Sequence, residues 1–114
     1  MANQYEILGD ILVINLQGRL NSANATQVEA EILQHINQGA NQLLVDLNGL
    51  EYISSAGLRV LLVVAKRLKR SAGLMVLCGI RESIREIFEV SGFLGILSVA
   101  STREQGLERF NQTA

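Results

Sequence analysis

The sequence has 114 residues, of which 48% are hydrophobic and 18% charged, and its net charge is −1. This length and composition are typical of one globular domain, expected over residues 1–114, and exclude a disordered chain. The basic residues are scattered and no apolar run reaches the ~18–20 residues of a membrane span, so neither nucleic-acid binding nor membrane insertion is expected. The start of the chain has no signal-peptide pattern and the single cysteine cannot form an internal disulfide, which predicts a cytoplasmic location.

The first part of the chain predicts a hairpin followed by a helix. Apolar stretches at Tyr5–Leu8 and Ile11–Leu16 flank Gly9-Asp10, a dipeptide typical of a tight turn between antiparallel strands. The pair Asn21-Ser22 offers a helix cap before apolar residues at helical spacing, and Gly39 is expected to end that helix.

The rest of the chain alternates apolar strands with amphipathic helices. Strands are expected at 43–47, 74–78 and 96–99. One helix begins at Ser54-Ser55, the next ends near Ser91-Gly92, and the last begins at Ser101, where Glu104 completes a capping box. The order ββαβαβαβα implies an α/β fold with a mixed sheet of about five strands and about four helices, in which helical crossovers join parallel strands.

The helix that follows Ser55 has two distinguishable faces. Its core-facing side is expected to contain the apolar residues Leu58, Leu61, Leu62, Ala65 and Leu68. Val60 and Val63 are then expected to point away from the core, next to Arg59. Exposed valines beside a basic residue can mark a contact surface, although single apolar residues are also common on protein surfaces.

Residues suited to catalysis or metal binding are scarce in this sequence. The only histidine, His35, lies between apolar residues of the first predicted helix, where a structural role is more common than catalysis. Asp46 ends a buried strand, where a turn or capping role is usual, and Cys78 lies in an apolar run typical of a buried thiol. Since no metal-ligand cluster or nucleotide-binding motif is present, we expect a binding protein without cofactor or metal rather than an enzyme.

The segment Tyr-Ile-Ser-Ser-Ala-Gly-Leu at 52–58 joins a strand to a helix and is the best candidate for a functional site. The first turn of a helix has N–H groups without partners, which favour an anion. A serine at this position can cap the helix or accept a phosphate. Because Ala56 and Gly57 are small, Ser55 would be open to the active site of another protein. From the residues alone, Ser54 and Ser55 can both be ordinary caps or can form a phosphorylation site.

Three stretches of the sequence share the pattern of one family. Gly-Arg-Leu-Asn-Ser-Ala-Asn-Ala at 18–25 is similar to G-x-L-D-x-x-x-A before a first helix. The strand at 44–47 with the segment 52–58 resembles a strand followed by D-S-[ST]-G-L. Ser-Gly-Phe at 91–93 matches the turn that ends a third helix. In these stretches the chain resembles the STAS domain, and within it the stand-alone anti-sigma factor antagonists. The resemblance covers nearly the whole chain and implies a STAS-type fold.

The resemblance also implies a site. In that family the serine after the motif aspartate takes phosphate from a partner that is both kinase and anti-sigma factor; aligned on Gly57, that serine is Ser55. This chain departs from the family pattern at three positions. Ser54 replaces the aspartate before the acceptor serine, and Ala56 replaces the serine or threonine after it. Asn21 replaces the aspartate of the first motif. Taken together with the outer face predicted for the helix after Ser55, the resemblance predicts a partner-binding surface. Its residues are Asn21, Ser22, Ser54, Ser55, Ala56, Gly57, Arg59, Val60 and Val63.

The function implied by the resemblance is a partner switch. The unmodified protein would bind a kinase-type anti-sigma factor, the phosphorylated protein would release it, and a PP2C-type phosphatase would remove the phosphate. We expect a monomer or a weak dimer. The alternatives are an accessory subunit of a transport system, a STAS interaction module that is not phosphorylated, and, less favoured, a nucleotide-binding module or enzyme.

Overall fold

Residues 3–92 and 97–111 are described by a computed structural model with helices on both faces of a sheet. The strands are β1 (Gln4–Leu8), β2 (Ile11–Asn15), β3 (Gly18–Leu20), β4 (Gln42–Asp46), β5 (Leu50–Ile53), β6 (Leu74–Cys78) and β7 (Ser98–Ala100). The helices are α1 (Ala25–Asn37), α2 (Ser55–Arg70), α3 (Glu82–Ser91) and α4 (Arg103–Asn111).

The main sheet has five strands in the order β1-β2-β4-β6-β7. β1 is antiparallel to β2, and the other neighbours are parallel. The predicted hairpin is confirmed, with Leu8 opposite Ile11 and a left-handed φ of 60° at Gly9 in the turn. The predicted mixed sheet of five strands with four helices is also confirmed. The last strand begins at Ser98 rather than at residue 96, which lies outside the described residues.

Two apolar clusters cover the two faces of the sheet. The larger one joins α1, α2 and α3 to one face, and the smaller one joins α4 to the other. Leu43 and Val45 belong to the first cluster and Leu44 to the second, which explains why β4 is almost wholly apolar. Cys78 is buried in the second cluster, and this burial raises the pKa of its thiol to about 11. The thiol is therefore neutral near pH 7, as expected for a structural cysteine.

β3 and β5 form a separate two-stranded parallel sheet that the sequence did not predict. This small sheet continues the pairing of β2 with β4 beyond their carboxyl ends. Two backbone hydrogen bonds connect the two sheets, from Leu16 N to Asp46 O (3.2 Å) and from Gly18 N to Gly49 O (2.9 Å). Strands of three and four residues are too short for a distinctive alternation of apolar and polar positions. This small sheet positions the loops that lead into α1 and α2.

The predicted side-chain caps of two helices, α1 and α4, are wrong. Asn21 does not cap α1, because its side chain accepts a hydrogen bond from Ala23 N (2.9 Å) within a turn. The side chain of Asn24, which precedes α1, accepts a bond from Asn21 N instead of capping the helix. Asparagine side chains commonly bond to nearby backbone in this way. At α4, Thr102 rather than Ser101 accepts the bond from the helix backbone, at 3.1 Å from Gln105 N.

The buried face of α2 is rotated around the helix relative to the prediction. Val60 was expected on the outer face, but only 2% of its surface is exposed and it belongs to the core, as does Val64. Leu62 and Ala65, expected in the core, are half-buried at its edge. The physical reason is that α2 packs against α1 as well as against the sheet, and the positions buried by both neighbours cannot be read from the apolar stripe of α2 alone. Val63 is half-buried.

His35 has a structural role, as its surroundings predicted. The ring is half-buried and stacks on the ring of Tyr5 in β1, with 4.9 Å between the centroids. The Tyr5 hydroxyl donates a hydrogen bond to Glu31 Oε1 (2.7 Å) on α1. Burial, together with this carboxylate, raises the pKa of Tyr5. The three side chains fasten the outer strand of the sheet to α1.

The guanidinium of Arg103 links α4 to β1 and to the carboxyl ends of β2 and β4. It donates hydrogen bonds to Asp46 Oδ2 (3.0 Å from Nη2), Asn15 Oδ1 (2.6 Å) and Glu6 Oε1 (3.2 Å). Asp46 is only 6% exposed and also accepts a bond from Asn48 N. The predicted turn role of Asp46 is therefore confirmed, whereas its ion pair with Arg103 was not predicted. A buried carboxylate requires such partners.

Replacing Arg103 by glutamine should lower the free energy of unfolding by about 1–3 kcal/mol, because the buried carboxylate of Asp46 loses its charged donor. The control is Arg70→Gln, at an exposed position in the last turn of α2, which should change stability by less than about 0.5 kcal/mol. Urea unfolding followed by circular dichroism measures both variants. Equal midpoints for the two would contradict the structural role of Arg103.

Candidate functional site

Two loops meet where the small sheet ends. β3 leads through residues 21–24 into α1, and β5 leads through Ser54 into α2. The backbone N–H of Ser54 donates a hydrogen bond to the carbonyl of Leu20 (2.9 Å). The starts of both helices are therefore held next to each other by backbone contacts.

Gly57 permits this close approach. A Cβ atom at this position would lie 2.8 Å from the carbonyl oxygen of Leu20 and 2.7 Å from Cγ1 of Ile53. These distances are too short for any side chain, and the carbonyl cannot move without breaking its bond to Ser54 N. The glycine of the motif thus has a structural explanation, since it allows the first turn of α2 to pack on β3.

The two serines of the motif have different surroundings. Ser54 is the N-cap of α2, and its half-buried Oγ accepts a hydrogen bond from Gly57 N (3.3 Å). Ser55 is the first residue of the helix and is exposed. Among residues 3–92 and 97–111, no hydrogen-bond partner is found for its hydroxyl. One serine therefore stabilises the helix, and the other presents a free hydroxyl to solvent.

A groove of about 650 Å³ lies between α1 and α2. Thr26 and Glu29 line it from α1, and Ser55, Arg59 and Val63 line it from α2. It therefore offers one acidic group, one basic group, two hydroxyls and apolar surface. In the described ranges we find no cluster of three residues able to hold a metal ion. Among residues 3–92 and 97–111, no helix is both long enough and apolar enough to cross a membrane.

The structure brings together most of the residues predicted for the partner surface. The groove is lined by five of them, namely Ser55, Ala56, Arg59, Val60 and Val63. Asn21, half-buried, and Ser22, exposed, lie in the loop before α1. The buried residues Gly57 and Val60 contact the interior of this chain, so the placement of Val60 on an outer surface is corrected. The contribution of the others to partner binding stays a prediction.

Sequence reasoning missed two parts of this region. Thr26 and Glu29 lie on the α1 side of the groove, three residues apart, and only the packing of α1 on α2 places them opposite the motif. Arg19 stacks on Tyr52, with its guanidinium carbon 4.5 Å from the ring centre, and 38% of Tyr52 is exposed. Both residues of this pair lie in the motifs, but their contact depends on the unpredicted pairing of β3 with β5.

The sequence profile of the STAS domain matches residues 3–106 of this chain. BtrV of Bordetella bronchiseptica, described as an anti-sigma factor antagonist, is 49% identical over 100 residues, which are 88% of this chain and 86% of BtrV. The described backbone is similar to that of a Thermotoga maritima protein also described as an anti-sigma factor antagonist. The TM-score is 0.90 with 22% identity, and the match covers 94% of this chain and 92% of the other.

SpoIIAA of Bacillus is similar to this chain in two solved states. The unphosphorylated form matches with a TM-score of 0.75, 25% identity, and coverage of 96% and 98% of the two chains. The phosphorylated form matches with a TM-score of 0.74, 28% identity, and coverage of 96% and 99%. The expected STAS-type fold is confirmed by these similarities.

The different roles of the two serines can be tested by single substitutions. Ser54→Ala should lower the free energy of unfolding by about 1 kcal/mol, because α2 loses its N-cap. Ser55→Ala is the matched control and should change it by less than about 0.5 kcal/mol, because the side chain is exposed. Thermal unfolding of the two proteins side by side measures the difference, and a larger loss for Ser55→Ala would contradict the assignment.

Proposed function

The chain belongs to the STAS domain family, as its motifs predicted, and we propose that it acts as an anti-sigma factor antagonist whose binding is switched by a phosphate on Ser55. The observation that supports this most directly is the contrast between the two serines. The hydroxyl of Ser54 is used in the helix cap, whereas that of Ser55 is exposed beside a groove. A kinase can therefore reach Ser55 without unfolding the helix.

In the proposed cycle the unmodified protein binds a kinase-type anti-sigma factor through the groove. The kinase then joins Ser55 Oγ to the γ-phosphorus of ATP, ADP leaves, and the hydroxyl proton passes to a base of the kinase. The phosphorylated protein dissociates, and a PP2C-type phosphatase hydrolyses the ester and restores the serine. The protein itself supplies the hydroxyl and the binding surface and acts in the cytoplasm as a monomer or weak dimer.

The switch is proposed to act through charge at the interface rather than through a change of fold. A phosphate adds roughly −1.5 to −2 charges at neutral pH. At the start of α2 these charges interact favourably with the helix dipole by about 0.3–1 kcal/mol, which is small beside a folding stability of about 5–15 kcal/mol. In a partner interface, the same charges meet desolvation and repulsion of several kcal/mol.

A second candidate is a STAS interaction module that is not phosphorylated. Ser54 and Ala56 in place of the usual motif residues favour it, because the carboxylate next to the acceptor serine is missing. A third candidate, an accessory subunit of a transport system, would use the same groove for a different partner. Neighbouring genes discriminate between them: a serine kinase or PP2C phosphatase supports the switch, and an ABC transporter operon supports the accessory subunit.

The phosphorylation itself can be tested by mass spectrometry. When the protein is incubated with ATP and candidate kinases, the intact mass should increase by one phosphate group. Ser55→Ala should abolish this increase, and Ser54→Ala, which keeps the exposed hydroxyl, should retain it. Phosphate mapped to Ser54 or Ser22 would contradict the assignment of Ser55, and no modification by any kinase would favour the unphosphorylated module.

The groove can be tested as the partner surface with a charged substitution. Val63→Asp should weaken binding of the anti-sigma factor about tenfold or more, because it places a carboxylate on an apolar part of the groove. Its melting temperature should stay nearly unchanged, because the side chain is only half-buried. Val90→Asp is the control, since Val90 is 90% exposed on α3. If both variants bind like the original protein, the groove is not the interface.

A further inference from the structure

We propose that Arg59 binds the phosphate on Ser55 within the same chain, so that phosphorylation withdraws this arginine from the partner. This inference rests on the proposed function, because it concerns the regulation of the same site. It adds a second effect to the switch: the phosphate introduces negative charge and also neutralises the positive charge of the groove.

The helical spacing of the two residues supports the contact. Residues four apart in a helix lie on one face, with Cβ atoms about 5–6 Å apart. Ser55 and Arg59 both line the groove, and both are exposed. An arginine side chain easily spans this distance and can bind two phosphate oxygens at once.

The guanidinium of Arg59 is available for this role. In the described part of the chain it has no hydrogen bond or ion pair, whereas Arg19 is stacked on Tyr52 and Arg103 is bonded to Asp46. Arg59 is also the only basic residue among the described residues that line the groove. Within residues 3–92 and 97–111, no second cation of the groove competes with it for the phosphate.

Glu29, the one acidic residue that lines the groove in the part of the chain that the structure describes, lies on the α1 side. It carries a single negative charge, and Arg59 forms no ion pair with it. The phosphate carries almost twice that charge and is attached to the same helix as Arg59, so it outcompetes Glu29. The polar residues of the adjoining loop, Asn21, Ser22 and Asn24, are uncharged.

The chemistry of the partner follows from this arrangement. Before phosphorylation, Arg59 presents a free positive charge next to apolar surface, which fits an acidic side chain of the anti-sigma factor. After phosphorylation, Arg59 is held by the phosphate, and the acidic group of the partner then faces excess negative charge. Attraction is therefore replaced by repulsion at the same position.

The test uses the full chain with phosphoserine installed at position 55 by genetic encoding, so that no kinase is needed. The second pKa of the phosphate, about 6 when unperturbed, is measured by ³¹P NMR titration. Arg59→Gln should raise this pKa by about half a unit, in line with the strength of exposed ion pairs. Arg59→Lys should retain most of the original value, and Glu29→Gln should lower the pKa because a competing carboxylate is removed.

Arg70→Gln is the matched control, since Arg70 is an exposed arginine of the same helix far from Ser55, and it should leave the phosphate pKa unchanged. In the original sequence the Nε–H signal of Arg59 should shift when the phosphate is present. If Arg59→Gln and Arg70→Gln give the same phosphate pKa and the Nε–H signal does not move, the proposal is overturned. This result is independent of whether any kinase phosphorylates Ser55, so failure of the inference and failure of the proposed function are distinguishable.

Discussion

The close approach of Gly57 to the carbonyl of Leu20 is the contact on which the site depends. It brings the first turn of α2 against β3, and the bond between Ser54 N and Leu20 O fixes the distance between the two loops. Ser54 directly joins β5 to α2, so Ser55 lies at the edge of the groove without a long connecting loop. In the proposed function, a partner would meet a surface that is already formed, which reduces the entropic cost of binding.

The site separates stability from recognition. Ser54 and Gly57 serve the fold, the first as a cap and the second as a position without a side chain. Ser55, Arg59 and Val63 line the groove and are exposed or only half-buried. A chemical change at these outer residues alters the charge or shape of the surface while the helix beneath stays in place. The proposed switch, which needs no change of fold, depends on this separation.

Local signals in the sequence were sufficient for much of the fold. The turn at Gly9-Asp10 and the apolar run at 74–78 depend on neighbouring residues, and the structure confirms both. The buried position of Val60 and the ion pair of Asp46 with Arg103 depend on elements distant in sequence, and neither was foreseen. The same holds for the site: the motif located the serines, but the α1 side of the groove appeared only when the helices were packed.

The positions of Ser55, Arg59 and Val63, each four residues from the next, have an evolutionary consequence. They form one ridge along α2 and share the groove, while the core residues of the helix lie on its other side. With the ridge as the proposed partner surface, two copies of the gene that arise by duplication could acquire different ridge residues, and so different partners, while they keep a common scaffold. A few substitutions on a single helix would then be enough to keep the two copies from binding each other's partners.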